Sequence, residues 1–333
     1  MRLFSQSAFW VVAVLVTAAC TTSSGGGLDM SPGTGGFPSA SGGSSAGGTV
    51  STGGTTGGST ASGGSGGGAT GGAASGGQAS GGTSAEVGGT GGGDDPDPTG
   101  CTRELLGEKA LDLAAALEAG DATLLTTNAA ATYIENHEAS EFGQGVWADA
   151  VEIEFQRDFL DEDTCETFSE IVITAGTPLV LGVRLTVTGQ DVTEVSALVS
   201  NDDDWLFDAA NYAAVSSAED WSEIPEADRD TREILIAAGD AYFDLFSDKS
   251  VVVPWNTPCT RLEGGELTTG NTCDVGVPDG IEFSDKHWIV DRVLGTATGM
   301  VLFAGSLPDS HMFRSLKGKI RYVHTITICD GGC

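Results

Sequence analysis

The stretch CTRLEGGELTTGNTC, residues Cys259–Cys273, holds two cysteines close enough to staple a compact loop. Between them Arg261, Glu263 and Glu266 are the only charges in a segment otherwise dominated by Gly and Thr. The same neighbourhood occurs earlier in weaker form as YIENHE, residues 133–138. Aligning the two places Glu135 with Glu263 and Glu138 with Glu266. It also places the run starting at Val192 with the run starting at Ile320. The identity is slight, but the order is consistent, and it implies one architectural unit used twice.

Working outward, each copy opens on a helix. In 103–119, Leu106, Ala110, Leu113, Ala114 and Leu117 share one face, and Gly120 ends the run. In 230–246 the apolar stripe is Ile234, Leu235, Ala238, Ala241, Tyr242 and Leu245. After each helix come a short segment, the glutamate motif and apolar strands. Segments 171–174, 178–187 and 192–199 read as strands in the first copy. Segments 288–292, 298–304 and 320–328 do so in the second. Turns are expected at 189–191 and 318–319.

This order resembles the SnoaL-like, or nuclear-transport-factor-two-like, cone, in which a long helix lies in a curved, mostly antiparallel sheet. The second copy carries the more specific resemblance, to an uncharacterised family of secreted fungal and bacterial proteins. Its features are Ile224-Pro225, Arg232-Glu233, Tyr242-Phe243, Val253-Pro254, the C-x-R-L-E-x-G run from Cys259, Val290-Asp291 and Gly318-Lys319-Ile320. His324 departs from that pattern, which more often has an acidic residue there. The implied fold is α+β, two tandem cones at 101–205 and 206–333, packed sheet to sheet as an internal pseudo-dimer within a monomer.

The remaining chain concerns location. Arg2, the apolar run 8–16 and the small residues before Cys20 resemble the export signal of a bacterial lipoprotein, residues 1–20. Thr17 stands where that family usually has Leu. The expected consequences are acylation at Cys20, insertion in a lipid bilayer, and residence in the bacterial cell envelope, at the outer membrane or cell surface. Residues 21–100 are mostly Gly, Ser, Thr and Ala and read as a disordered tether. The net charge of −32 leaves no basic footprint for nucleic acid. Without Cys20, six cysteines remain: Cys101, Cys165, Cys259, Cys273, Cys329 and Cys333. In an exported chain these read as disulfides. Cys259 pairs with Cys273 in this reading, while Cys329 and Cys333 tie the tail to Cys101 and Cys165. With no C-x2-C pair, no metal site is expected.

The chemistry follows from the resemblance. Cones of this class enclose a pocket between helix and sheet. Some, ketosteroid isomerase and scytalone dehydratase among them, move a proton there with a carboxylate or His beside a hydrogen-bond donor. By placement the second copy offers Tyr242, Asp291 and His324 as such a set. Tyr242 also reads as a core aromatic, and His324 as a hydrogen-bonded core histidine. Tyr133, Glu135 and Trp147 in the first copy, with Arg261 and Glu263 in the second, are candidate ligand contacts. Arg261 and Glu263 also suit an ion pair bracing the cysteine loop. From residue 101 onward no Gly-x-Ser-x-Gly, Walker A or His-Glu-x-x-His motif occurs. Three readings remain open: a module binding a small apolar ligand or a partner, a cofactor-free isomerase or dehydratase, and purely structural display at the cell surface.

Overall fold

The computed structural model describes residues 100–267 and 270–329. The expected export signal, Cys20, the tether and Cys333 lie outside them. Helix α1 (Arg103–Ala119) is capped by the Thr102 hydroxyl, which accepts from Leu105 N, and ends at Gly120 with φ 61°. A Cβ there would run into the backbone of Asp149 and Ala150, so a close chain crossing requires the glycine. Strands β1 (Thr127–Glu135), β2 (Glu138–Ser140), β3 (Ile153–Asp161), β4 (Glu166–Ile173), β5 (Leu179–Thr188) and β6 (Asp191–Ser200) form one six-stranded sheet, in the order β2-β1-β6-β5-β4-β3.

A connector carrying helix α2 (Ala209–Ala218) leads to helix α3 (Arg232–Asp244). Strands β7 (Trp255–Glu263), β8 (Glu266–Leu267), β9 (Phe283–Asp291), β10 (Thr296–Phe303), β11 (Leu307–Leu316) and β12 (Lys319–Thr327) build a second sheet, β8-β7-β12-β11-β10-β9. The order is that of the first sheet, position for position. In both sheets one pair is parallel, β1 with β6 and β7 with β12. All other pairs are antiparallel.

The duplication is visible in the register. Glu135 faces Glu138 across one turn, and Glu263 faces Glu266 across the other. Tyr133 lies beside Val195, and Arg261 beside Val323. These are the correspondences read from the sequence.

Strand alternation sorts the side chains into three apolar layers. In the first half, Leu181, Val183, Leu185 and Val195 point inward and pack with Leu106, Leu113 and Leu117 of α1. In the second half, Val301, Phe313 and Val323 pack with Tyr242 and Phe243 of α3. The third layer lies between the sheets. It combines Phe168, Val180 and Leu198 of the first with Met300, Met312 and Ile326 of the second, and Tyr212 of α2 joins it. Both sheets belong to one compact unit.

The halves are also clamped reciprocally. Arg103, the first residue of α1, donates to both oxygens of Asp291 at the end of β9, at 3.0 and 2.9 Å. Arg232, the first residue of α3, donates to both oxygens of Asp161 at the end of β3, at 2.7 Å each. Each aspartate also crosses to the other half's backbone. Leu160 N donates to Asp291 and Val290 N to Asp161. A self-complementary contact of this kind is what a two-fold dimer interface has; here it lies within one chain.

The cysteines pair Cys259 with Cys273, as expected, and Cys101 with Cys165. The second pair corrects the expectation that both would hold the tail. Cys101 precedes α1, and Cys165 turns β3 into β4 with φ 58°. Because α1 lies along β3, the two meet within their own half. Cys329 is also disulfide-bonded.

Candidate functional site

The expected set Tyr242, Asp291 and His324 is not assembled. Residues along a strand alternate between faces, and Val323 of β12 joins the helix-side core that contains Tyr242. His324 therefore points the other way, into the junction between the sheets. Asp291 is spent on the clamp to Arg103. The neighbouring Arg292 donates to Asp230 O at 3.4 Å.

The interior of the second half holds a different polar set around Tyr242. Asp309 and His311, two apart on β11, face inward, with His311 Nδ1 3.1 Å from Asp309 Oδ2. Thr327 Oγ1 donates to the other Asp309 oxygen at 3.0 Å. Arg261 and Glu263 of β7 form an ion pair, and the Arg261 guanidinium lies 5.3 Å from the Tyr242 ring centre. Trp205 Nε1 donates to Glu263 at 3.4 Å. The Tyr242 ring is 5.3 Å from that of His311. Its hydroxyl is buried with no hydrogen-bond partner, and burial pushes its pKa far up. Tyr242, Arg261 and Glu263 were legible as candidates. Asp309 and His311 were missed because β11 was not read as a strand.

The first half serves as an internal comparison. Matching the helices from Arg103 and Arg232 and the sheets by register sets Leu113 against Tyr242, Leu181 against Asp309 and Val183 against His311. All three are buried apolar residues. Only the glutamate persists, with Tyr133 in place of Arg261. Tyr133, Glu135 and Trp147 do come together. The Tyr133 hydroxyl donates to Glu135, and Val146 N donates to the same oxygen at 3.2 Å. Trp147 meets the Tyr133 ring edge-on at 5.8 Å. Desolvation, with Glu135 close by, drives the Tyr133 pKa far up. This arrangement pins the turn at Gly145, where a Cβ would strike the Glu135 carboxylate.

A second polar cluster lies between the sheets. His324 Nδ1 is 3.1 Å from Glu170 of β4, and Nε2 is 2.9 Å from Glu219 of the connector. Tyr212 donates to Glu170 at 2.9 Å. Burial alone lowers the histidine pKa, but the two carboxylates outweigh it and raise the value to about 9. At the rim of the same face, Arg184 and His287 hold Glu166. They overcome its desolvation and keep its pKa at about 2.

Beside the connector an open groove of about 490 Å³ is lined by Ser222, Ile224, Asn256, Arg314 and Lys319, among others. Its size suits a small ligand, but its cations and carboxylates are mixed. Arg314 is committed to the carbonyls of Asp220 and Ser222. Among the described residues no group of three or more His, Cys, Asp or Glu could hold a metal ion.

Residues 228–327 match the model of a domain of unknown function, DUF8021. The match runs from just before α3 to the end of β12, so it covers the half that carries the polar interior. No curated protein matches the chain.

Proposed function

We propose that the chain is an exported, lipid-anchored binding module, built of two SnoaL-like cones, whose second cone takes a small, mostly apolar ligand. One observation carries the reading. Tyr242, whose counterpart in the first half is Leu113, presents a buried hydroxyl with no partner, beside Asp309 and His311, whose counterparts are Leu181 and Val183. An unpartnered buried donor costs stability. At this position the first copy bears no such cost, since Leu113 stands there, and the second copy is organised for a ligand acceptor. The walls suit an apolar body, since Phe243, Phe246 and Trp255 meet the Tyr242 ring edge-on and Phe313 meets it tilted.

The site is closed by the segment before β9. Val277 and Ile281 pack on the interior, and Lys249 donates to the carbonyls of Val277 and Pro278. Entry therefore requires this segment to lift. The Cys101–Cys165 and Cys259–Cys273 disulfides fit an oxidising compartment. Among the described residues no helix is long and apolar enough to cross a membrane. The proposed anchor is Cys20, at the end of the lipoprotein-like signal.

The second reading is a cofactor-free isomerase or dehydratase. Asp309 with His311 supplies the base and Tyr242 the donor, in place of the set expected from the sequence. Titration with acetophenone, an uncharged aromatic carbonyl probe, tests the binding reading through Trp255 fluorescence. Saturable quenching by the wild type, weakened at least tenfold in Tyr242→Phe, is expected. Equal quenching of both proteins overturns the assignment of Tyr242.

A further inference from the structure

His324 belongs to none of the chemistry above, yet both of its ring nitrogens are engaged in the junction. It is 1% exposed and joins three separate parts of the chain. Nδ1 meets Glu170 on β4 of the first half, and Nε2 meets Glu219 on the connector, while the ring itself sits on β12 of the second half. A neutral imidazole carries one N–H and one lone pair. It can therefore donate to one of these carboxylates and must turn a lone pair toward the other. Only the imidazolium donates to both.

We propose that His324 is a protonated keystone whose deprotonation releases the connector strap, residues 219–229, from the junction. The surroundings determine which link fails. Glu170 keeps other partners, the Tyr212 hydroxyl at 2.9 Å and Arg157 at 3.8 Å. Glu219 keeps only the Trp221 indole N–H at 3.0 Å and the Thr260 hydroxyl at 3.4 Å. The strap is thus the weaker side. Its remaining charged and polar neighbours are Arg157, which stacks on Trp221 at 4.2 Å, Arg314 on the same ring at 4.8 Å, and Tyr322, whose hydroxyl accepts from Asp220 N. Arg314 is held by the backbone carbonyls of 220 and 222, and Arg157, which donates to Ser216 O, stands 3.8 Å from Glu170, so neither hydrogen-bonds Glu219 beside the imidazolium. The direction of linkage agrees. The folded His324 value lies above the unfolded one, so its stabilisation is complete below about 6.5 and disappears as pH rises through about 9.

Nitrogen-15 NMR of the histidine rings of the purified full chain, from pH 6 to 10, reads the protonation directly. Trypsin cleavage at Arg229, normalised at each pH to an unstructured peptide, reads strap release. The expected result is a His324 ring doubly protonated at pH 8, with cleavage rising about tenfold per pH unit between about 6.5 and the folded value of about 9 and levelling off above it, as one-proton linkage requires. Glu219→Gln removes one carboxylate and keeps the side-chain shape, so the folded value should fall and the rise should level off at lower pH. His324→Gln should be cleaved independently of pH; if it does not fold, the Glu219→Gln profile still decides. A neutral His324 ring at pH 7, or a Glu219→Gln profile identical to the wild type, overturns the proposal.

Discussion

The two clamps, Arg103 with Asp291 and Arg232 with Asp161, carry the tightest information about how the halves meet. Both aspartates are fully buried. Removing either arginine leaves a carboxylate supported only by backbone N–H groups. Arg103→Ala and Arg232→Ala should each cost about 3 kcal/mol in urea unfolding. The two costs should add within about 0.5 kcal/mol if the sites are independent. A negligible loss from either would mean that the clamp is decorative. Tyr242 should behave in the opposite way. Tyr242→Phe deletes a buried hydroxyl without a partner, so it should leave stability unchanged or raise it by up to about 1 kcal/mol while weakening ligand. A loss of more than about 1 kcal/mol would show that the hydroxyl has a structural partner. Glu166, held at about 2 by His287 and Arg184 against its desolvation, contributes stability above pH 4.5 that is lost as pH falls toward 2. A Glu166→Gln variant should flatten that acid limb.

At the level of elements, the Cys259–Cys273 bridge closes a short loop beside the second interior. Replacing both cysteines with Ser should cost about 3 kcal/mol by the chain-entropy estimate, with a matching fall in thermal midpoint. No change would mean the hairpin holds the loop unaided. The elements also show what the sequence made legible. Helix α1 has a capping threonine, a clear stripe and a terminal glycine, and it was read with its observed limits. The glutamate motifs aligned because both close the same tight turn. Strand β11, LPDSHMFRSL, was missed since its inward face is Asp309, His311 and Phe313 rather than an apolar alternation. The residues that hide the strand are those that mark the site. Strand β3 is hidden for a related reason, its helix-side positions Glu154, Gln156 and Asp158 being polar, with Gln156 donating to Ala110 O of α1 and Asp158 accepting from Ser169. Helix α2 lay in a segment read as connector. Its sequence AANYAAVSSA has no strong stripe, because it packs Ala209, Tyr212 and Ala213 onto the sheet junction and caps with Asp208. The face that His324 occupies could not be fixed without the register of β12, since a shift of one residue reverses every side chain.

For the whole molecule, the claim is that two copies of one unit bury each other's outer sheet face. The junction layer of Phe168, Val180, Leu198, Met300, Met312 and Ile326 draws on both sheets. Either half alone would expose its share of this layer as a contiguous apolar patch, which seeks a partner. Multi-angle light scattering on a fragment covering 101–200, beside the segment 101–333, measures this directly. The account predicts a monomer for 101–333, and a dimer or aggregate for 101–200. A well-behaved monomeric 101–200 would contradict it and make the halves independent domains.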